Sequence, residues 1–254
     1  MSLPLKGKRV MVTREARQAL PLIQLLEGYG ASCERVPLLC FEAIDDDVNR
    51  SQLTNLASFD WLFFTSVNTV RFFHQYITTL GIQVKNKIAA VGEKTARSLT
   101  HYGYTVEFQP STYSGKAMVE EFLNENSTKR IALICGENAR REIPELLKEA
   151  GVSFEKIVIY RTIKNEHSKS LLNKTVSQVD TVFFTSPSTV DAFQQFLKPH
   201  LFEQAKNSLL TIAIGETTAE ALRERSFCDI LYPETFTVED MVEIYIDYIR
   251  KGDA

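Results

Sequence analysis

Short apolar runs alternate along this chain with longer stretches in which apolar residues recur every three or four positions. The runs read as buried strands and the longer stretches as amphipathic helices. Lys8–Thr13 is predicted to be a buried strand, followed after Arg14 and Glu15 by a helix to about Gly28-Tyr29-Gly30. The glycine pair stops that helix. Cys33–Leu39 is extended but carries Pro37, so it is an edge or a connector and not a central strand. Asp45-Asp46-Asp47 reads as a solvated turn. Trp61–Phe64 is a strand with a helix through Tyr76. Lys87–Val91 is a strand whose following helix opens at Gly92 and runs to about Tyr102. Tyr104–Phe108 is a further strand, and Pro110–Gly115 leads into a helix through Leu123. Strand alternating with helix argues for a parallel α/β fold.

The pattern then repeats. Asp60–Val70 returns at Asp180–Val190 with seven of eleven residues identical, where unrelated segments share roughly one. Four more blocks recur in order. Lys129–Ile134 matches Lys8–Thr13, and Gly151–Ile157 matches Gly30–Val36. Ala213–Ala219 matches Ala90–Ala96, and Pro233–Val242 matches Pro110–Val119. An internal duplication is expected, giving two similar α/β lobes of normal domain size. Cut by the repeats alone, the chain divides near Ser127.

The 254 residues are 44% hydrophobic and 24% charged, with net charge −3. No concentrated basic face is visible, so no nucleic-acid partner is expected. No apolar run approaches the roughly 20 residues of a membrane span, and Met1–Lys8 lacks a signal-peptide core. These features predict a cytoplasmic protein. Cys33, Cys40, Cys135 and Cys228 form no CxxC pair and read as reduced packing residues. His74, His101, His167 and His200 are isolated, so no metal site is expected. Dinucleotide, P-loop and nucleophile-elbow motifs are missing, and nothing asks for a cofactor.

The chemistry suggested by the chain lies at its strand-to-helix junctions. In each copy an apolar run meets a hydroxyl pair, Thr65-Ser66 and Thr185-Ser186, placed as helix N-caps. Gly92-Glu93-Lys94-Thr95 and Gly215-Glu216-Thr217-Thr218 each put Gly at a strand end and Thr in the first helical turn. Free N–H groups and the helix dipole favour anions there. Capping of their own helices is the alternative role for these residues. Trp61 reads as packing, and Tyr113 and Phe236, at equivalent places in the two copies, read as core residues of their lobes rather than as ligand contacts.

Six motifs in order resemble the uroporphyrinogen-III synthase family. They are Thr13-Arg14, Phe64–Asn68, Val91–Ala96, Val158–Thr162, Phe184–Ser188 and Ile214–Ala219. The resemblance runs from about Lys8 to Val242. It implies two flavodoxin-like lobes, each a parallel sheet flanked by helices, with a discontinuous boundary. One lobe is 1–36 with 165–254, the other is 42–157, and 37–41 and 158–164 form a two-stranded connector. It implies a monomeric, cofactor-free enzyme that closes hydroxymethylbilane to uroporphyrinogen III with loss of water and inversion of ring D. Direct hand-over from hydroxymethylbilane synthase is a further expectation. Tyr160 is then the catalytic candidate. Arg14, Ser66, Asn68, Gly92, Thr95, Arg140, Ser186, Ser188, Gly215 and Thr218 are the candidate substrate contacts. Glu137-Asn138-Ala139 departs from the glycine-rich turn often found before the position of Arg140. The rival reading is a non-enzymatic two-lobed binding protein for a small polyanion. A receiver-like regulatory domain would need acidic residues at strand ends, and Asp45–Asp47 does not follow a convincing strand.

Overall fold

A computed structural model describes residues 3–126 and 130–252. Lys129, the first residue of one repeat block, and the division near Ser127 lie outside the described residues. The chain forms two compact units, Met1–Cys40 with Ile163–Ala254, and Phe41–Thr162.

The chain starts with β1 (Arg9–Val12), α1 (Ala16–Gly28) and β2 (Ser32–Arg35), and enters the second unit within β3 (Leu39–Ala43). There it forms α2 (Asp47–Thr54), β4 (Trp61–Phe64), α3 (Val67–Leu80), β5 (Lys87–Ala90), α4 (Glu93–His101) and α5 (Gly115–Glu125). It continues through β6 (Ile131–Gly136) and α6 (Glu142–Glu149), and returns within β7 (Phe154–Lys164). The first unit is completed by α7 (Ser168–Thr175), β8 (Thr181–Phe184), α8 (Pro187–Phe196), α9 (Pro199–Ser208), β9 (Leu210–Ala213), α10 (Glu216–Glu224), β10 (Asp229–Leu231) and α11 (Val238–Gly252).

The first unit holds a parallel sheet in the order β10-β9-β8-β1-β2. The second sheet is ordered β3-β7-β6-β4-β5, with β7, β6, β4 and β5 parallel. All of β4, β6 and β8 is buried, as sheets covered by helices on both faces require. Alternate residues then feed two cores per sheet. Met11, Val182, Phe184 and Ala213 enter one, and Val10, Val12, Phe183 and Ile212 the other. In the second unit Leu62, Phe64 and Ile134 separate in the same way from Trp61, Phe63 and Leu133. Trp61 packs edge-on against Phe122 at 4.9 Å.

Four local expectations change. Tyr104–Phe108 is not a strand: only Phe108 pairs, in a single bridge to Ala89. Pro110 follows at once and cannot donate to a ladder, and Tyr104 is held aside by His74 Nδ1 at 3.1 Å. The acidic triplet is solvent-exposed as expected but opens a helix rather than forming a turn. Asp46 caps α2 by accepting from Asn49 N at 2.8 Å, and Asp45 pairs with Arg50 at 2.7 Å. Cys228 is exposed rather than packed. The helix expected to end at Tyr76 continues to Leu80, where Gly81 takes the left-handed conformation (φ 65°) that closes it.

Candidate active site

In the second unit a cavity of about 620 Å³ opens where β4 and β6 end and α3 and α5 begin. Ser66, Asn68, Tyr113, Cys135, Arg140 and Tyr160 are among its walls. Another hollow of about 690 Å³ is lined by Asp60, Trp61 and Lys87, at the opposite ends of β4 and β5. The carboxyl edge is where α/β sheets collect ligands, and the first cavity alone carries the hydroxyl and phenol groups described next.

Tyr160 is aimed by a fault in the ladder. Cys135 of β6 pairs with Val158, but Gly136 pairs with Tyr160, so β7 holds one extra residue. Such a bulge breaks the inward–outward alternation. Ile159 and Tyr160, neighbours in sequence, accordingly pack against the same core. Glu137 N donates to Tyr160 O at 2.9 Å and closes the bulge. The phenol ring stacks on Phe72 (5.0 Å, 11° between planes) and meets the edge of Phe41 at 5.6 Å. Gly136 makes the space, since a Cβ there would stand 2.8 Å from Tyr160 Oη and closer still to Cζ.

Ser66 caps α3, accepting from Thr69 N at 3.2 Å, and its Oγ lies 2.8 Å from Thr69 Oγ1. Tyr160 Oη is 3.5 Å from Ser66 Oγ. That is long for a bond between hydroxyls, so the phenol is not committed to the serine and is free to donate to a ligand. Burial pushes the Cys135 thiol up to about 11, despite Lys156, so this wall is a neutral thiol at ordinary pH.

In the first unit Ser186 caps α8 by accepting from Thr189 N at 3.3 Å. Ser188 is exposed in the first turn, and Gly215 is the N-cap of α10. Arg14 follows β1 and gives its Nε to Gln18 Oε1 at 3.1 Å. Burial lowers its pKa, with Glu15 opposing.

The helix starts are not alike as anion sites. α4 and α10 already carry Glu93 and Glu216 in their first turns, which offset the dipole an incoming anion would use. α3 and α8 have no acidic residue there, so the serine-capped corners keep the anion preference. Thr95 and Thr218 are 5% and 1% exposed and are packing positions, not presented as Ser66 is. Gly92 and Thr95 are not walls of the cavity, although Tyr113, which is one, lies 3.6 Å from where a Gly92 Cβ would be. Tyr113 and Phe236 are not core residues. They are 61% and 64% exposed, because each sits at the tip of the turn before α5 or α11 and covers a backbone glycine.

The family model described as "Uroporphyrinogen-III synthase HemD" matches residues 21–243 of this chain. The chain belongs to this family. It is 28% identical over 256 residues to the porphyrin biosynthesis protein HemD of Ruminiclostridium josui, which covers 96% of this chain and 49% of that protein. It thus spans about half the length of that relative. It is 27% identical over 240 residues to the uroporphyrinogen-III synthase of Chlorobaculum parvum, covering 90% of this chain and 94% of that one. A solved uroporphyrinogen-III synthetase from Helicobacter pylori 26695 superposes with a TM-score of 0.62 at 18% identity, covering 95% of this chain and 99% of the other. At that identity the likeness concerns the fold, two parallel-rich sheets flanked by helices.

Within this uroporphyrinogen-III synthase family member, the sequence-derived candidates Ser66, Asn68, Arg140 and Tyr160 share one cavity of the second unit. Arg14, Ser186, Ser188 and Gly215 stand at the carboxyl ends of β1, β8 and β9 in the first. Sequence reading missed Phe41, Phe72, Gly136 and the exposure of the two turn aromatics. The one available signal was the equivalent placing of Tyr113 and Phe236 beside the two Gly-Glu-x-Thr blocks.

Proposed function

We propose that this chain closes hydroxymethylbilane to uroporphyrinogen III, with Tyr160 assisting loss of the ring A hydroxyl. The observation that carries the residue assignment is the bulge that turns Tyr160 into the cavity and leaves its hydroxyl 3.5 Å from the α3 cap. In this reading the phenol donates to the departing oxygen, a contribution of general-acid type. The C–O bond breaks, water leaves, and the resulting azafulvene cation is attacked by the substituted carbon of ring D. The spiro intermediate fragments, ring D turns over, and closure at the other position releases a proton that balances the one donated.

The substrate carries eight carboxylates. Ser66, Asn68 and Arg140 are proposed to hold some of them, and Arg14, Ser186 and Ser188 others. Fixing a flexible chain in one fold selects the product, since orientation supplies several kcal/mol. We read the two units as copies of one ancestral lobe, with 37–41 and 158–164 as connectors between 1–36 plus 165–254 and 42–157. Matching neighbours support this: β1 with β2 and β8 in one sheet, β6 with β7 and β4 in the other. The reading extends to a cytoplasmic monomer supplied by hydroxymethylbilane synthase.

The test is turnover of fresh hydroxymethylbilane by the wild type and by Tyr160→Phe. Wild type should yield the III isomer ahead of spontaneous closure, and the Phe variant should lose about 10²-fold in kcat while melting like wild type. A folded Phe variant with unchanged kcat removes Tyr160 from the chemistry. Formation of the I isomer alone by wild type would leave only a polyanion-binding protein.

A further inference from the structure

We propose that Tyr113 and Phe236 are positioning residues that each hold a pyrrole ring of the substrate. The inference rests on the function proposed above and names two side chains that reading does not include. Single exposed aromatics are common and need no explanation. What separates these two is that both units hold an aromatic ring out in the same way. Ser114 N donates to Thr112 O at 2.9 Å, and Thr237 N donates to Thr235 O at 2.9 Å. Each ring therefore sits at the apex of a tight three-residue turn. Each turn is pinned to the helix behind it. Ser111 N gives a 2.7 Å bond to Glu121, Ser114 Oγ accepts from Ala117 N at 3.1 Å, and Thr237 Oγ1 accepts from Asp240 N at 3.1 Å.

Each ring also rests on a glycine that caps the helix after the neighbouring strand. A Cβ on Gly92 would lie 3.6 Å from Tyr113 Cβ, and one on Gly215 would lie 2.6 Å from Phe236 Cδ1. The backs of the rings are thus supported while most of their surface stays open, at 61% and 64%. Tyr113 forms part of the same cavity wall as Ser66 and Tyr160. Beside Tyr113 the Ser66 corner has no acidic residue in its first turn, and an open ring next to such a corner matches a flat heterocycle bearing carboxylates. The ring takes the π-face or edge, and the corner takes the acid. Phe236 has no polar atom, so the shared property is the aromatic face and not the Tyr113 hydroxyl.

The experiment uses Tyr113→Ala, Phe236→Ala and the conservative Tyr113→Phe and Phe236→Tyr. Two readouts are taken: kinetics with hydroxymethylbilane, and fluorescence titration with uroporphyrin I as a planar octacarboxylate probe. The alanine variants should raise KM and weaken probe binding about five- to tenfold, lower the fraction of III isomer, and leave kcat and melting close to wild type. The aromatic-for-aromatic variants should restore KM, binding and isomer fraction. Wild-type KM and isomer fraction in both alanine variants, or a loss that the conservative variants fail to restore, would overturn the proposal. Absence of III isomer from the wild type itself would instead count against the proposed function. The probe titration then decides the aromatic contacts separately: equal affinity of alanine variants and wild type rejects them.

Discussion

At the scale of single residues the site depends on one glycine as much as on one tyrosine. Gly136 lies where Tyr160 must lean, and its backbone pairs with Tyr160 across the bulge. Gly136→Ala keeps the strand chemistry but places a methyl group against the phenol. Either the ring swings from Phe72 or the two strands part. Overpacking of this kind costs about 1–3 kcal/mol. The expected result is a lower melting temperature together with a loss of kcat comparable to that of Tyr160→Phe, read by thermal denaturation and steady-state kinetics. Wild-type kcat in Gly136→Ala would show that the tyrosine's placement does not matter to turnover. None of this was legible in the sequence. Ile157-Val158-Ile159-Tyr160 reads as an ordinary apolar strand ending in an aromatic, and a bulge is set by its partner strand, which the pattern of one segment does not contain. The assignment of Tyr160 came from the family resemblance. Tyr113 and Phe236 were misread because large aromatics usually mark cores, and their support by backbone glycines is visible only in three dimensions.

At the scale of elements the chain was more readable. The strands at Trp61–Phe64 and Thr181–Phe184 and the caps at Ser66 and Ser186 follow directly from apolar runs ending in a hydroxyl pair. α2 was not readable, because Asp47–Thr54 buries only Asn49 and Leu53 and shows little periodicity. Tyr104–Phe108 was overread, because its alternation reflects packing against a core and not a ladder. The two serine caps also provide an internal control. Ser66→Ala and Ser186→Ala should each cost about 1 kcal/mol of stability through the lost cap. If the α3 and α8 corners also bind carboxylates, KM rises in both beyond what folding loss explains. Chemical denaturation alongside kinetics separates the effects. Equal stability losses with an unchanged KM would leave these serines as caps only.

At the scale of the whole molecule, alternation of strand and helix was enough to predict α/β architecture, because parallel sheets need helices on both faces. The repeat blocks alone divided the chain near Ser127, outside the described residues, whereas contacts group Met1–Cys40 with Ile163–Ala254. A chain pattern records which segments resemble each other, not which pack together. β1 and β8 are remote in sequence yet pair at Val10–Thr181, Met11–Val182 and Val12–Phe183. Each unit offers a serine-capped helix start with no acidic residue in its first turn. The most direct measurement is the ratio of III to I isomer formed from fresh hydroxymethylbilane as the concentration of the purified chain is raised. The III fraction should climb toward completion as catalysed closure outruns the spontaneous reaction. A product that stays isomer I at every concentration, from a chain that is folded, would contradict the account.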